Sequence, residues 1–276
     1  MEYYKQWHNS KKIESINYTF LGESTAGMRT SFYVPELKVL LDAGHQCYNK
    51  VQDIFITHTH ADHIASLPLM VLENVSDKIK TRIYCPNESK TFLINMIESF
   101  LACNYNNSFL PKKYYEIIGL TAGYSFELKL NNKDIIIEVF ASVHTVPTLS
   151  YGFSEKKKKL KDEYIGKSSG ELVSLKKEGI EITKNVIQKK FIFCGDTTIN
   201  IFDNNNIYSY PNIIIECTYF DDDDIVQANN RRHMHWSNLS SVIKSNQDIS
   251  FHLIHVSAKH RDIKDTVFNM DNMQFF

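Results

Sequence analysis

Three imidazoles and a carboxylate fall within six residues in the run Thr57-His58-Thr59-His60-Ala61-Asp62-His63. So many donors in so short a stretch are costly unless a cation holds them, and imidazole plus carboxylate is a set that borderline Zn(II) favours. His58 and His60 are two apart, so they project to the same side of an extended segment. The stretch Asp53-Ile54-Phe55-Ile56 before them reads as a buried strand that ends where the donors begin. Asp62 and His63 then follow a tight turn and lead into a helix starting near Ile64-Ala65-Ser66. Four side chains thus aim at one small volume.

Three later residues each follow a strand-like run and extend this set. His144 comes after the strand 135–140 and precedes Val146-Pro147. Asp196 follows Phe191-Ile192-Phe193-Cys194-Gly195, where glycine lets the backbone turn sharply and present a carboxylate able to bridge two cations. His255 lies in Phe251-His252-Leu253-Ile254-His255-Val256. Alternation along a strand puts His252 and His255 on opposite faces, so at most one is a ligand. The position near the strand end favours His255 and leaves His252 a surface or core role.

The elements that must hold these residues are short strands and amphipathic helices. Strands are expected at 15–21, ending at Gly22, at 30–34, stopping at Pro35, and at 38–42, stopping at Ala43-Gly44. A short strand at 82–85 precedes a helix from Asn87 to about Ala102, with Phe92, Leu93, Met96, Ile97, Phe100 and Leu101 as its core-facing stripe. Strands 125–130 and 133–140 flank Asn131-Asn132, a good two-residue hairpin turn. Further strands are read at 191–194, 212–216 and 251–256, with helical patterning over 236–244. Strands grouped at both ends with interspersed helices fit two sheets packed face to face with helices outside, an α/β (α+β) fold.

The 276-residue chain can bury a large core and reads as one domain, 1–276, interrupted by a Lys-rich insertion at 154–190. Its 43% hydrophobic and 23% charged content is ordinary for a soluble globular protein. No apolar run approaches the ~20 residues of a membrane helix, and the N-terminus lacks the apolar core of a signal peptide. A net charge of −1 announces no nucleic-acid binder, so any basic surface must be local. Five scattered cysteines without a Cys-x-x-Cys pair read as buried free thiols in a reducing compartment, which predicts a cytoplasmic protein or one of the nucleus or an organelle.

Together these residues resemble the metallo-β-lactamase superfamily and, within it, the tRNase Z (ribonuclease Z) family in its short, plant-type form. The likeness is carried by Leu41-Asp42-Ala43-Gly44, Ala65-Ser66-Leu67-Pro68, Val143-His144-Thr145-Val146-Pro147 and Phe193-Cys194-Gly195-Asp196-Thr197. It continues through Glu216-Cys217-Thr218-Tyr219-Phe220, His233-Met234-His235 and Ile254-His255-Val256-Ser257. The resemblance implies a four-layer αββα sandwich and a zinc-dependent endoribonuclease that removes the 3′ trailer of precursor tRNA, leaving a 3′-hydroxyl. It implies two Zn(II) ions, one on His58, His60 and His144, the other on Asp62, His63 and His255, with Asp196 bridging. Mn(II) or another divalent ion would suit the same donors. Asp62 would also aim the attacking water. In the catalytic pair Glu216 would orient His235 to protonate the leaving oxygen, His235 being preferred to His233. The resemblance further implies a homodimer in which the arm of one subunit holds the tRNA cut by the other.

Departures from the family concern substrate handling. Thr25-Ala26-Gly27-Met28-Arg29-Thr30-Ser31 stands where bacterial and long forms carry a Pro-x-Lys-x-Arg-Asn loop, and their Gly-Pro-rich arm is absent. The insertion at 154–190 takes its place, with Lys156, Lys157, Lys158, Lys159 and Lys161 as candidate RNA-backbone contacts. Lys259 replaces an Arg usual after the last metal histidine. The alternative reading is a hydrolase of the same superfamily that acts on a small substrate such as a cyclic nucleotide or a thioester.

Overall fold

The computed structural model describes residues 10–46, 50–105, 114–265 and 270–276; Cys47 and the N-terminal residues 1–9 lie outside these. Among the described residues the strands form two sheets of seven. The first holds β1 (Ser10–Ile13), β2 (Tyr18–Thr25), β3 (Arg29–Val34), β4 (Val39–Leu41), β5 (Asp53–Phe55), β6 (Thr81–Pro86) and β7 (Tyr115–Leu120), side by side in chain order. The second holds β8 (Ser125–Leu130), β9 (Lys133–Ser142), β10 (Thr148–Leu160), β11 (Thr183–Phe193), β12 (Asn212–Glu216), β13 (Ser250–Ile254) and β14 (Met273–Phe275). Strands β4 to β7 run parallel, as do β11 to β14. Their carboxyl ends therefore point one way in each sheet, and loops leaving them gather along one edge.

Alternating side chains explain the layering. Phe20, Phe32, Phe55, Phe153, Phe191 and Phe193 face inward between the sheets, with Phe153 stacked on Phe191 at a centroid distance of 4.6 Å. On the outer face of the first sheet, α2 (Leu67–Ser76) and α3 (Lys90–Asn104) bury Leu67, Met70 and Val71, and Leu93, Ile97 and Leu101. On the outer face of the second, α6 (Trp236–Ser245) buries Leu239 and Ile243. Each such side chain contributes about 1.5–3 kcal/mol when fully buried. The result is helix, sheet, sheet, helix. The hairpin turn sits at Asn131-Asn132 as expected, both residues having positive φ of 44° and 67°.

Several local expectations are corrected. Strand β2 starts at Tyr18 and runs through Gly22 to Thr25, because a Cβ at residue 22 would stand 1.9 Å from the Ser31 carbonyl oxygen and glycine lets the two strands close up. The first helix, α1 (Ala61–Ile64), starts before Ile64 and places Asp62 and His63 inside its single turn. Helix α3 turns a narrower stripe to the core than six residues, and Phe92 is largely exposed. Among the described cysteines, Cys85, Cys194 and Cys217 are buried free thiols, whereas Cys103 is exposed.

His252 takes a core role. Its Nε2 faces Asn212 Oδ1 at 3.1 Å and its Nδ1 faces Gln274 Nε2 at 2.7 Å, so donors and acceptors match a neutral ring. Burial, helped by Lys11, pushes its pKa down to about 3. An unfolded histidine titrates near 6.5, so this contribution to stability is complete above about pH 6.5 and is lost as the pH falls from there towards 3. Between pH 7 and pH 5 the loss from His252 alone should be about 2 kcal/mol. His252→Gln should shrink the difference between urea unfolding free energies at those two pH values by that amount; an unchanged difference would remove His252 from the acid sensitivity.

The Lys-rich insertion continues β10 and β11 as a long antiparallel hairpin that pairs Glu155 with Gln188 and Leu160 with Thr183. It carries α4 (Ser169–Lys177), capped by a reciprocal Ser168–Glu171 box and without a buried residue. At the root, the nearly buried Glu155 accepts from Tyr18 Oη at 2.6 Å and Lys133 Nζ at 2.9 Å, and pairs with Lys157 Nζ at 2.6 Å. Burial opposes its charge, yet Lys157, Tyr18 and Lys133 outweigh that and hold the carboxyl down at about 2. Lys156 pairs with Glu127 and Lys158 lies 3.6 Å from Glu181. Lys159 and Lys161 form no ion pair with a carboxylate among the described residues.

Candidate metal centre

The donors predicted on separate strands meet at the shared edge. His58 and His60 leave the end of β5, Asp62 and His63 belong to α1, and His144 lies in the loop between β9 and β10. Asp196 follows β11, and His255 follows β13 with a φ of 59° that turns it out of the strand. His58 Nε2 and His144 Nε2 each stand 3.1 Å from His60 Nδ1. On the other side His63 Nε2 is 3.3 Å and Asp62 Oδ2 3.1 Å from His255 Nε2. Asp196 lies between the two groups: Oδ2 is 3.7 Å from His58 Nε2 and 3.4 Å from His255 Nε2, while Oδ1 is 3.5 Å from His63 Nε2. Zinc–nitrogen bonds of about 2.0–2.1 Å put tetrahedral donors about 3.3 Å apart, so both groups have the spacing of a ligand shell.

The protons of the outer ring nitrogens make the same point. Thr57 Oγ1 donates to the buried Asp42 carboxylate, which leaves its lone pair to accept from His58 Nδ1 at 3.1 Å. Thr218 Oγ1 donates to Glu216 and accepts from His255 Nδ1 at 3.0 Å. His63 Nδ1 donates to Asp42 Oδ2 at 2.8 Å and His144 Nδ1 to the Arg232 carbonyl at 2.9 Å. With these four Nδ1 atoms donating outward, the rings turn their Nε2 atoms at one another and at two carboxylates, and a ring that ligates a cation there does so as the neutral imidazole. A cation satisfies that arrangement, and the outer partners fix the rings as they do around bound metals. Burial pushes the pKa values of His58, His60 and His144 down. Burial also opposes a charge on His63, but Asp196 and Asp42 outweigh it and hold this ring at about 9. Asp62 and Asp196 stay ionised despite burial, held well below the usual carboxylate range chiefly by the imidazoles around them.

The expected catalytic pair is corrected. Glu216, fully buried at the end of β12, faces His233 Nδ1 at 2.9 Å and does not reach His235. His235 instead caps α6: its Nδ1 accepts from the Ser237 backbone N–H at 3.2 Å, and its Nε2 donates to the Asp221 carbonyl at 2.9 Å. The cause lies one residue earlier. Arg232 ends α5 (Ile225–Arg231) in the left-handed conformation, φ 54° and ψ 49°, and this reversal turns His233 inward. The Arg232 guanidinium then donates to the His144 carbonyl at 2.8 Å, so the two residues hold each other reciprocally. Burial opposes a charge on His233, but Glu216 outweighs it and raises the ring to about 9.

A cleft of about 370 Å³ opens above the donors, lined by His60, Asp62, His144, Asp196, His233 and His255 together with Gly27, Thr145, Tyr219, Asn230 and Arg231. Gly27, in the loop that departs from the bacterial pattern, donates its N–H to Asp62 Oδ2 at 2.8 Å. The sequence alone assigns no role to Asp42, Thr57, Thr218 or Arg232. Only Asp42 and Thr218 stand within the quoted family motifs. Of the four aspartates 221–224, Asp224 alone is buried, paired with Lys259 and with His260 Nε2 at 2.9 Å, and the other three are solvated. Lys259 is thereby engaged with Asp224 and stands 6.0 Å from the ring centroid of Tyr219, without itself lining the cleft.

Comparison with known proteins adds a family context. A family model described as Anti-Pycsar protein Apyc1 matches residues 35–162. Over 266 residues the chain is 30% identical to tRNase Z TRZ1 of Arabidopsis thaliana, covering 93% of this chain and 92% of that protein. It is 27% identical to the chloroplastic tRNase Z TRZ2 of the same plant, over 96% of this chain and 75% of the other. The crystal structure of human tRNase Z, short form, superposes with a TM-score of 0.58 at 16% identity, covering 93% of this chain and 95% of that one. The metallo-β-lactamase fold protein YhfI from Bacillus subtilis gives 0.57 at 13% identity, over 92% and 93%. These structures share the four-layer fold described above.

Proposed function

From the membership of this chain in the tRNase Z family, with its metallo-β-lactamase fold, we propose that it is a zinc-dependent endoribonuclease that cuts the 3′ trailer from precursor tRNA. The observation that carries this reading is the Glu216–His233 pair standing 3.8 Å from Asp196 at the mouth of the seven-residue donor set. His58, His60, His144 and Asp196 would hold one ion, and Asp62, His63, His255 and Asp196 the other. Zinc at this centre would supply Lewis acidity towards the phosphoryl oxygens and ease the ionisation of water.

The protein's own residues then divide the remaining work. Asp62, fixed by the Gly27 N–H, accepts a hydrogen bond from the attacking water or hydroxide and aims its oxygen at phosphorus. Attack in line expels the ribose 3′-oxygen, and His233 delivers a proton to it. Glu216 fixes the tautomer of His233 and stabilises the imidazolium. The products are a 3′-hydroxyl on the tRNA body and a 5′-phosphate on the trailer.

The hairpin at 154–190 is the proposed RNA contact, in a homodimer that offers the arm of one subunit to the tRNA of the other. With Lys156 and Lys157 tied to Glu127 and Glu155, Lys159 and Lys161 should carry the larger share of phosphate binding. Incubation with a 3′-extended precursor should give one cut at the 3′ end of the acceptor stem, mapped by end-labelling. Replacing Lys156, Lys157, Lys158, Lys159 and Lys161 with Ser should raise KM for the precursor and flatten the slope of log K against log salt by about 0.7–0.9 per lost phosphate contact. Hydrolysis of bis(p-nitrophenyl) phosphate should be unaffected. A small-substrate phosphodiesterase is the second reading, favoured by the carboxylate partners of the first three lysines. Turnover of small diesters without any precursor cleavage would decide for it.

A further inference from the structure

Two arginines stand side by side before His233, and the left-handed turn between them sends them to different places. Arg232 is committed: its guanidinium donates to the His144 carbonyl and its own carbonyl holds the His144 ring. Arg231 is the last residue of α5, is exposed, and lines the catalytic cleft beside Asn230. It has no ion-pair partner among the described residues. Of the side chains that line the cleft it is the one lysine or arginine among them, the rest of the charge there being the carboxylates of Asp62 and Asp196 and the imidazoles. Lys259 is bound to Asp224 and does not line the cleft.

A guanidinium left free at the rim of a phosphodiester site matches a further phosphate, which it can grip with two parallel N–H donors. Its place in the fold indicates the side. Arg231 lines the same cleft as His233, the group assigned to the leaving oxygen, and leaves the same short turn at Arg232, which favours a phosphate of the leaving nucleotide. We propose that Arg231 binds the phosphate on the 5′ side of the leaving nucleoside and thereby selects polynucleotide over isolated diester. This rests on the assignment of His233 above. The bland alternative is that Arg231 only offsets the negative end of α5, a role without any consequence for substrate choice.

Three dinucleotides separate these readings without requiring tRNA: UpU, pUpU with an added 5′-phosphate on the leaving nucleoside, and UpUp with an added 3′-phosphate on the other side. The zinc-loaded wild type should favour pUpU over UpU by about tenfold in kcat/KM, as one charge-assisted contact provides. Arg231→Gln should bring that ratio to near one, and Arg231→Lys should keep part of it, with metal content unchanged in both. No preference in the wild type, or a preference that survives Arg231→Gln, overturns the proposal. A UpUp preference lost in Arg231→Gln overturns the assigned side. A wild type that shows the pUpU preference and yet leaves precursor tRNA uncut strikes the tRNA reading and leaves Arg231 in place.

Discussion

On the proposed two-zinc centre, Asp196→Ala should take bound zinc from two ions per chain to fewer than one and lower phosphodiester cleavage by more than about 10³-fold. Asp196 faces both groups, His63 with one oxygen and His58 with the other. Without it each group keeps three donors, and nothing ties the two together. The fold should survive, because the three hydrophobic layers hold the sheets and helices without help from the site. Circular dichroism of the variant should therefore match that of the wild type, while metal analysis after dialysis separates them. His63→Ala should lose one ion and keep the His58 group, since its ring belongs to the Asp62–His255 side. Full metal content and full rate in Asp196→Ala would refute the shared carboxylate. Chelation of the wild type should abolish cleavage, and zinc should restore it.

How far the sequence could be read differs between layers for physical reasons. Strand β13 is legible from its apolar run, which is local, whereas the φ of 59° that turns His255 out beyond its end is not. The run from His58 to His63 was legible because chemistry constrains it more tightly than folding does. Phe92 stays exposed because apolar spacing names a stripe but not its width: α3 fully buries Leu93, Ile97 and Leu101, with Ile94 and Met96 partly buried beside them. Gly22 was read as a strand end although it is a close approach, which depends on a neighbouring strand that local patterns do not reveal. The Glu216 partner was missed for a similar reason. His233 and His235 are two residues apart, and which of them turns inward depends on the backbone reversal at Arg232, a residue type that carries no signal for a positive φ.

That reversal yields the second large effect. His233→Ala should lower kcat on an RNA substrate by about 10²–10⁴-fold, the usual worth of a general acid, with zinc content unchanged. The loss should be far smaller on bis(p-nitrophenyl) phosphate, because nitrophenolate leaves without a proton. His235→Ala should act on stability instead. It removes an N-cap acceptor for Ser237 and a donor to the Asp221 carbonyl, worth about 1–2 kcal/mol, and should lower the melting temperature while leaving kcat within a few-fold of wild type. Loss of zinc in His233→Ala would recast this ring as a ligand, since Asp196, His233 and His255 also offer donor atoms within 4.8 Å of one another. A large kcat loss in His235→Ala, with zinc and melting temperature intact, would return the acid to His235. Glu216→Gln separates the roles further: it keeps a hydrogen bond to His233 Nδ1 but removes the charge that stabilises the imidazolium. Its kcat should therefore fall on RNA and hold on the nitrophenyl ester, as for His233→Ala.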